Sequence, residues 1–192
     1  MKESPDAALE LPNEKHKQSF IEAVGEFQAD SENTNSGSMG RYRDMAIDEL
    51  RRDFPSYLRK LRDAAAGRNL GEGIVPESTF WLIEGGEFVG RVSVRHYLNE
   101  NLARVGGHIG YEVRPSRRRR GYGKLLLKSG LDKAWDLGIE KALVTCDDSN
   151  TASLKIIQSC GGVQDVEVSQ GSGRPSKLRF WIDLNERQMR RT

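Results

Sequence analysis

Four consecutive arginines, Arg117–Arg120, stand directly before Gly121, Gly123 and an apolar run typical of a helix. Backbone N–H groups in the first turn of a helix have no partner within the helix, and the helix dipole adds positive potential there. Glycines at such a point let a ligand approach the backbone without meeting a Cβ atom, and guanidinium groups suit phosphate oxygens. The stretch therefore predicts a loop that binds a phosphate or pyrophosphate group.

Two familiar phosphate-binding motifs do not fit this spacing. A dinucleotide-binding motif requires a glycine where Leu126 stands, and a P-loop requires Ser or Thr where Leu125 follows Lys124. The chain as a whole has no strong attraction for nucleic acid, because 30 basic and 28 acidic residues leave a net charge of +2. Any anion-binding function must then be local to the arginine–glycine stretch.

The elements that would position this loop alternate between helices and strands. Leu9–Leu11 predicts a short strand, and helical spacing of apolar residues predicts helices over 14–27 and 57–67. From residue 80 the pattern predicts a hairpin turning at Gly85-Gly86, a strand over 106–113, a helix over 121–137, a strand over 142–146, a helix over 150–160 and two closing strands. Alternation of Arg91, Ser93 and Arg95 with apolar neighbours predicts a strand with one buried face.

This order predicts the α/β class, with one domain over residues 1–192. The unit at 107–146 should place two strands parallel through a right-handed crossover, and the closing strands should complete a mixed central β-sheet flanked by helices. We expect flexible tails at 1–8 and 185–192 and a mobile loop at 28–40, where turn-forming residues are dense.

Residues 118–123 resemble the signature of the GNAT superfamily of N-acetyltransferases, in which Arg or Gln is followed by two residues, Gly, one residue and Gly or Ala. A Val-x-Pro strand end precedes them and a leucine-rich helix follows, as in that family. The later stretch CDDSNTASLKIIQSCGG is similar to a second family motif, with Asn150, Ser153 and Gly161 in the matching places. The resemblance covers about residues 80–184, and GGHIGYEVRPS is similar to a bacterial branch of predicted acetyltransferases.

The resemblance implies that acetyl-CoA binds in a gap between splayed parallel strands, here those ending at Val113 and Cys146. Backbone near Val113 would pair with the pantetheine arm, loop amides and a nearby arginine would hold the pyrophosphate, and two residues after the second strand would line the opposite wall. The cofactor-binding residues implied in this way are Val113, Arg118, Arg119, Arg120, Gly121, Tyr122, Gly123, Asn150 and Ser153.

The reaction implied is transfer of the acetyl group to a primary amine by direct attack in a ternary complex. A free alkyl amine has a pKa of about 10, so a group must take its proton. His108 is the first candidate base because imidazole titrates near neutrality, and Glu112 on the same face is the second. A bulge in this strand would favour Tyr111 instead.

Structural roles for the same residues stay open. His108 could be a structural hydrogen-bonding group, and Glu112 could be solvated or paired with an arginine. Many relatives carry a tyrosine that protonates the leaving thiolate seven residues after the Asn, and this chain has Ile157 there. The proton would then come from another group or from solvent, or the thiolate would leave unassisted.

Two functions other than catalysis are also open: a non-catalytic acyl-CoA sensor of the same fold, and a basic-patch module for nucleic acid. We expect an enzyme acting on a small-molecule or protein amine, without metal, nucleic-acid or membrane partners, in a fold that permits a homodimer.

Cys146 and Cys160 have neither metal-site spacing nor a disulfide framework, which fits the cytoplasm. The longest apolar run, Phe80–Ile83, is too short to cross a bilayer.

Overall fold

A computed structural model describes residues 7–30, 40–171 and 174–185 of the chain. Its helices are α1 (Lys17–Ala29), α2 (Gly40–Arg43), α3 (Ile47–Arg52), α4 (Phe54–Ala65), α5 (Tyr122–Asp136) and α6 (Thr151–Ser159). Its strands are β1 (Ala8–Glu10), β2 (Glu77–Glu84), β3 (Glu87–Arg95), β4 (Ile109–Val113), β5 (Lys141–Asp147), β6 (Val163–Val168) and β7 (Lys177–Asp183). None of the described helices combines the length and the apolar character needed to span a membrane.

The α/β class is confirmed, but the strand pairing differs from one mixed sheet. The described strands form two antiparallel sheets, with orders β1-β2-β3-β4 and β5-β7-β6. β4 and β5 meet where the His108 N–H donates to the Leu143 carbonyl (2.7 Å) and the Leu143 N–H donates to His108 Nδ1 (2.9 Å). Because an imidazole takes the place of a backbone carbonyl there, the ladder does not continue, and the strands splay.

The expected tails and loop overlap with regular structure at their edges. Ala8 pairs with Ile83 in β1, so the first sheet holds a residue that we expected in the tail. Helix α1 continues to Ala29, two residues into the expected 28–40 loop. Residues 1–6, 31–39 and 186–192 lie outside the described residues, and the expectations for them stay predictions.

Two apolar clusters cover opposite faces of the first sheet. In one cluster, Val92 and Ile109 pack with α5 and with Val144 and Phe180 of the second sheet. In the other, aromatic residues of α1 and α4 pack on β2 and β3, and the Phe20 ring stacks on Trp81 at 4.6 Å. Both faces of β3 are therefore buried, whereas its alternation of apolar and polar residues predicted only one buried face.

Candidate functional site

The loop before α5 presents backbone N–H groups that have no acceptor among the described residues. Gly121 precedes the helix with φ +90°, and Arg119 has φ +65°, so both residues adopt the left-handed region. Within the part of the chain that the structure describes, no hydrogen bond is donated by the backbone amides of residues 119–123. Successive amides in such alternating conformations form a concave anion-binding surface at a helix N-terminus.

A first cavity of about 500 Å³ opens beside this loop. Four cationic side chains line it, and Glu112 is the one carboxylate among the described lining residues. A cavity with this charge suits a ligand that carries several phosphates. Its lining consists of Phe27, Tyr111, Glu112, Val113, Arg118, Arg119, Gly121, Tyr122, Gly123, Lys124, Asn150, Ala152, Ser153, Lys155, Ile156 and Ser159.

The members of the arginine run differ in their surroundings. Arg118 lines the first cavity and forms an ion pair with Asp30 at the end of α1 (2.6 Å). Arg117 pairs with Glu87 at the start of β3 and does not line the cavity. Arg119 lines the cavity, whereas Arg120 is exposed and lies outside it, so the predicted role of Arg120 can rest only on its amide.

A second cavity of about 420 Å³ lies on the other side of the gap between β4 and β5. It shares four lining residues with the first cavity: Tyr111, Glu112, Asn150 and Ser153. Its remaining lining is Arg91, Ser93, Arg95, Asn101, Leu102, Val105, Gly106, Ile109, Gly110, Thr145, Cys146, Asp147, Gln170 and Lys177. Two cavities that meet at the splayed strands allow two substrates to meet there.

Asn150 and Ser153 lie where the matching motif predicted, at the start of α6. The Asn150 side chain caps the helix by accepting from the Ser153 N–H (3.0 Å). The Ser153 hydroxyl hydrogen-bonds Tyr111 Oη (2.8 Å), which joins α6 to β4 across the gap. Val113 also lines the first cavity, so all three residues lie at the junction or beside it.

Glu112 is held in a buried ion pair. Arg91 Nε donates to Glu112 Oε2 at 2.7 Å, and the two side chains are 2% and 7% exposed. The guanidinium also lies over the Tyr42 ring, 5.5 Å from its centroid. Of the two structural interpretations of Glu112, a solvated position and an ion pair, the arrangement matches the ion pair. Sequence reasoning missed Arg91, although an arginine flanked by apolar residues in a strand was a visible signal.

The surroundings of His108 match the structural interpretation more closely than the catalytic one. Nδ1 already accepts the Leu143 N–H, the residue is 9% exposed, and it lines neither cavity within the described chain. Burial and the nearby Arg95 lower the pKa of His108 to about 4. The prediction of His108 as the base therefore has no geometric support, and a neutral imidazole clamping the two sheets accounts for its position.

We expect His108 to make stability depend on pH in mildly acidic solution. Its folded pKa of about 4 lies below the ordinary 6.5, so the unfolded chain binds the proton first as the pH falls. The free energy of unfolding should then decrease between pH 6.5 and 4, by up to about 3 kcal/mol from this group. Urea denaturation of the wild type and of His108→Gln at several pH values in this range isolates the effect. The same pH dependence of the unfolding free energy in both proteins would contradict it.

The register of β4 separates the other two candidate bases. β3 and β4 pair without a shift from Gly90–Val113 to Val94–Ile109, so the strand contains no bulge. Tyr111 and Glu112 therefore lie on opposite faces of the sheet.

Ile157 is fully buried in the core beneath α6, which leaves no hydroxyl at the position where relatives carry the tyrosine.

Comparisons with known proteins agree with this geometry. A model of the acetyltransferase (GNAT) family matches residues 42–161, whereas no curated protein matches the chain. An acetyltransferase from Salmonella typhimurium that modifies the N-terminal serine of ribosomal protein L7/L12 is 14% identical, with a TM-score of 0.66 over 94% of this chain and 96% of that one.

Two further structures have a similar fold. A spermidine N-acetyltransferase chimera from Vibrio cholerae is 16% identical, with a TM-score of 0.62 over 94% of this chain and 97% of that one. A microcin C7 self-immunity acetyltransferase in complex with acetyl-CoA and AMP is 12% identical, with a TM-score of 0.67 over 94% and 93%. The family match spans more than half of the sequence and includes the loop and the gap, and the chain belongs to the acetyltransferase (GNAT) family.

Proposed function

We propose that the protein transfers an acetyl group from acetyl-CoA to a primary amine. The proposal rests chiefly on the backbone amides of residues 119–123, which have no acceptor within the described parts of the chain and lie beside a cavity that four cationic side chains help to line. The amides and Arg118 would hold the pyrophosphate, and Asn150, Ser153 and the Val113 backbone would hold the pantetheine arm. The thioester supplied by acetyl-CoA is the electrophile of the reaction.

The second cavity is the proposed acceptor site, because the described lining residues that it shares with the first cavity are the four at the junction. An amine bound there attacks the thioester directly in a ternary complex, and no covalent enzyme intermediate is needed. Glu112 borders both cavities, and its ion pair with Arg91 offsets its charge, so its proposed role is to accept a hydrogen bond from the bound amine and orient it. Proton removal then passes to water or to Glu112 rather than to His108.

The acceptor is a small-molecule amine or a protein amine. Similar folds include enzymes named for the N-terminal serine of a ribosomal protein and for spermidine, so both classes belong in a screen. Asp147 borders the acceptor cavity but forms an ion pair with Lys177 (2.5 Å), which reduces its attraction for a cationic acceptor.

We infer action in the cytoplasm, since Cys146 and Cys160 are both free thiols.

The proposed assembly is a monomer or a homodimer, with the edge strand β6 as the available surface. Five of its six residues are exposed, including Val163 at 71% and Val166 at 50%. An exposed edge with unpaired backbone groups can pair with a second chain. Sedimentation analysis of the wild type and of a Val166→Lys variant distinguishes the two states.

The proposal is tested by titrating the protein with acetyl-CoA and with an oligonucleotide, then assaying thioester consumption against a panel of amines. Turnover with at least one amine supports the enzyme, and acetyl-CoA binding without turnover supports a sensor. Salt-sensitive oligonucleotide binding alone would overturn both. We expect no such binding, because Arg114 and Arg117 are already paired with acidic side chains and do not line the first cavity.

A further inference from the structure

Protonation of the sulfur assists departure of CoA, and the position where relatives carry the proton donor is apolar here. Ile157 is 0% exposed and packs against Gly162, where a Cβ atom would lie 2.6 Å from Ile157 Cγ2. No rotation of this side chain can supply an acidic hydrogen. If the chain assists departure of the sulfur, the proton comes from another element.

The junction between the two cavities contains one hydroxyl pair. Of the four described residues that line both cavities, Tyr111 and Ser153 carry hydroxyl groups, and these are hydrogen-bonded at 2.8 Å. Glu112 accepts a hydrogen bond from Arg91 at 2.7 Å in a buried ion pair, and the Asn150 amide is not acidic. The Tyr111–Ser153 pair is therefore the proton source that the geometry offers.

The environment of Tyr111 suits an acid and not a base. Burial raises the pKa of the phenol, against the smaller opposing effect of the Ser153 hydrogen bond. The raised pKa keeps the phenol protonated at neutral pH and so excludes Tyr111 as the base. The same shift makes full ionisation of the phenol costly, so the proton can pass to sulfur only together with a second proton from the hydrogen-bonded Ser153. This reverses the sequence-based prediction, in which Tyr111 was a candidate base.

We propose that Tyr111 protonates the sulfur of CoA and that Ser153 returns the proton to it; this inference rests on the proposed acetyl transfer. The amine nitrogen bonds to the carbonyl carbon, the carbon–sulfur bond breaks, and its electron pair goes to sulfur. Sulfur takes the proton from Tyr111 Oη, and Tyr111 recovers one from Ser153. The proton lost by the acylated nitrogen passes to water or to Glu112, and Ser153 recovers one from water, so the products are the amide and the CoA thiol.

The test compares Tyr111→Phe, Ser153→Ala and, as a matched control, Tyr97→Phe. Tyr97 is 57% exposed and lies outside both cavities, so its variant should behave like the wild type. Removing the Tyr111 hydroxyl should lower kcat about 100-fold, while the Kd for CoA changes by less than about threefold. Ser153→Ala should lower kcat by about tenfold, because solvent can re-protonate the phenol more slowly.

A second readout does not depend on turnover. In the binary complex with CoA, a donor at the sulfur stabilises the thiolate, so the pKa of the bound thiol should be higher by about 1 in Tyr111→Phe than in the wild type. Ultraviolet absorbance of the thiolate during a pH titration measures it. If Tyr111→Phe keeps the wild-type kcat and the wild-type pKa of the bound thiol, Tyr111 is not the proton donor, while the proposed acetyl transfer still stands. Failure of the wild type to bind CoA would overturn the proposed function together with it.

Discussion

Replacing Gly121 with valine is expected to lower the affinity for CoA by at least about 100-fold. Gly121 has φ +90°, a conformation that a β-branched residue strongly resists, so the loop would turn its amides away from their common centre. Losing two hydrogen bonds to a charged pyrophosphate is sufficient for an effect of this size. Isothermal titration with CoA, with the folded state checked by circular dichroism, measures the change.

Gly138 supplies a matched control for backbone strain. It follows the other end of α5 with φ +79°, and a Cβ atom there would meet nothing within 4 Å. Gly138→Val should therefore lose stability by about 1–2 kcal/mol, as Gly121→Val does, and keep its affinity for CoA. Equal affinity in the two variants would show that the loop is not the pyrophosphate site.

Replacing Arg91 with methionine is expected to lower the free energy of unfolding by about 3–5 kcal/mol. The substitution leaves the Glu112 carboxylate buried at the junction without its cation, and desolvation of an unpaired charge is expensive. Denaturant unfolding monitored by circular dichroism at pH 7 gives the change directly.

The double variant Arg91→Met, Glu112→Leu separates the charge effect from packing. With both charges removed, most of the lost stability should return, because apolar side chains of similar volume fill the same space. If Arg91→Met is as stable as the wild type, the buried pair contributes little to stability. If the double variant is no more stable than Arg91→Met, the lost stability does not come from the unpaired charge of Glu112. Acetyl transfer in the double variant then reports how much the reaction depends on Glu112.

The arginine–glycine loop was the most predictable part of the molecule, since its chemistry follows from local sequence. A helix N-terminus has unpartnered amides whatever the rest of the fold does, and glycine marks the point where the backbone turns. The order of helices and strands after residue 80 was predictable for the same reason, because hydrophobic period depends on neighbouring residues. The helix, gap and second motif all lie within a residue or two of the positions expected.

What depends on contacts between distant elements could not be predicted. Alternation along β3 indicated one exposed face, but whether that face is covered depends on how the N-terminal helices dock, and Arg91 is buried because Glu112 lies opposite it on β4. His108 looked like a base because of its residue type and its strand. Its actual partner, Leu143, is 35 residues away in the sequence, and the residues around His108 do not predict that contact.

The continuity of the core beneath the gap has a consequence for ligand entry. The backbone hydrogen bonds divide at His108, but Val92 and Ile109 from one sheet and Val144 and Phe180 from the other are buried in the same cluster. Close-packed side chains resist separation, so the gap cannot open or close freely by a hinge between the sheets. We therefore expect a preorganised site, in which little of the binding energy is consumed in reshaping the protein and the affinity for acetyl-CoA reflects the contacts themselves.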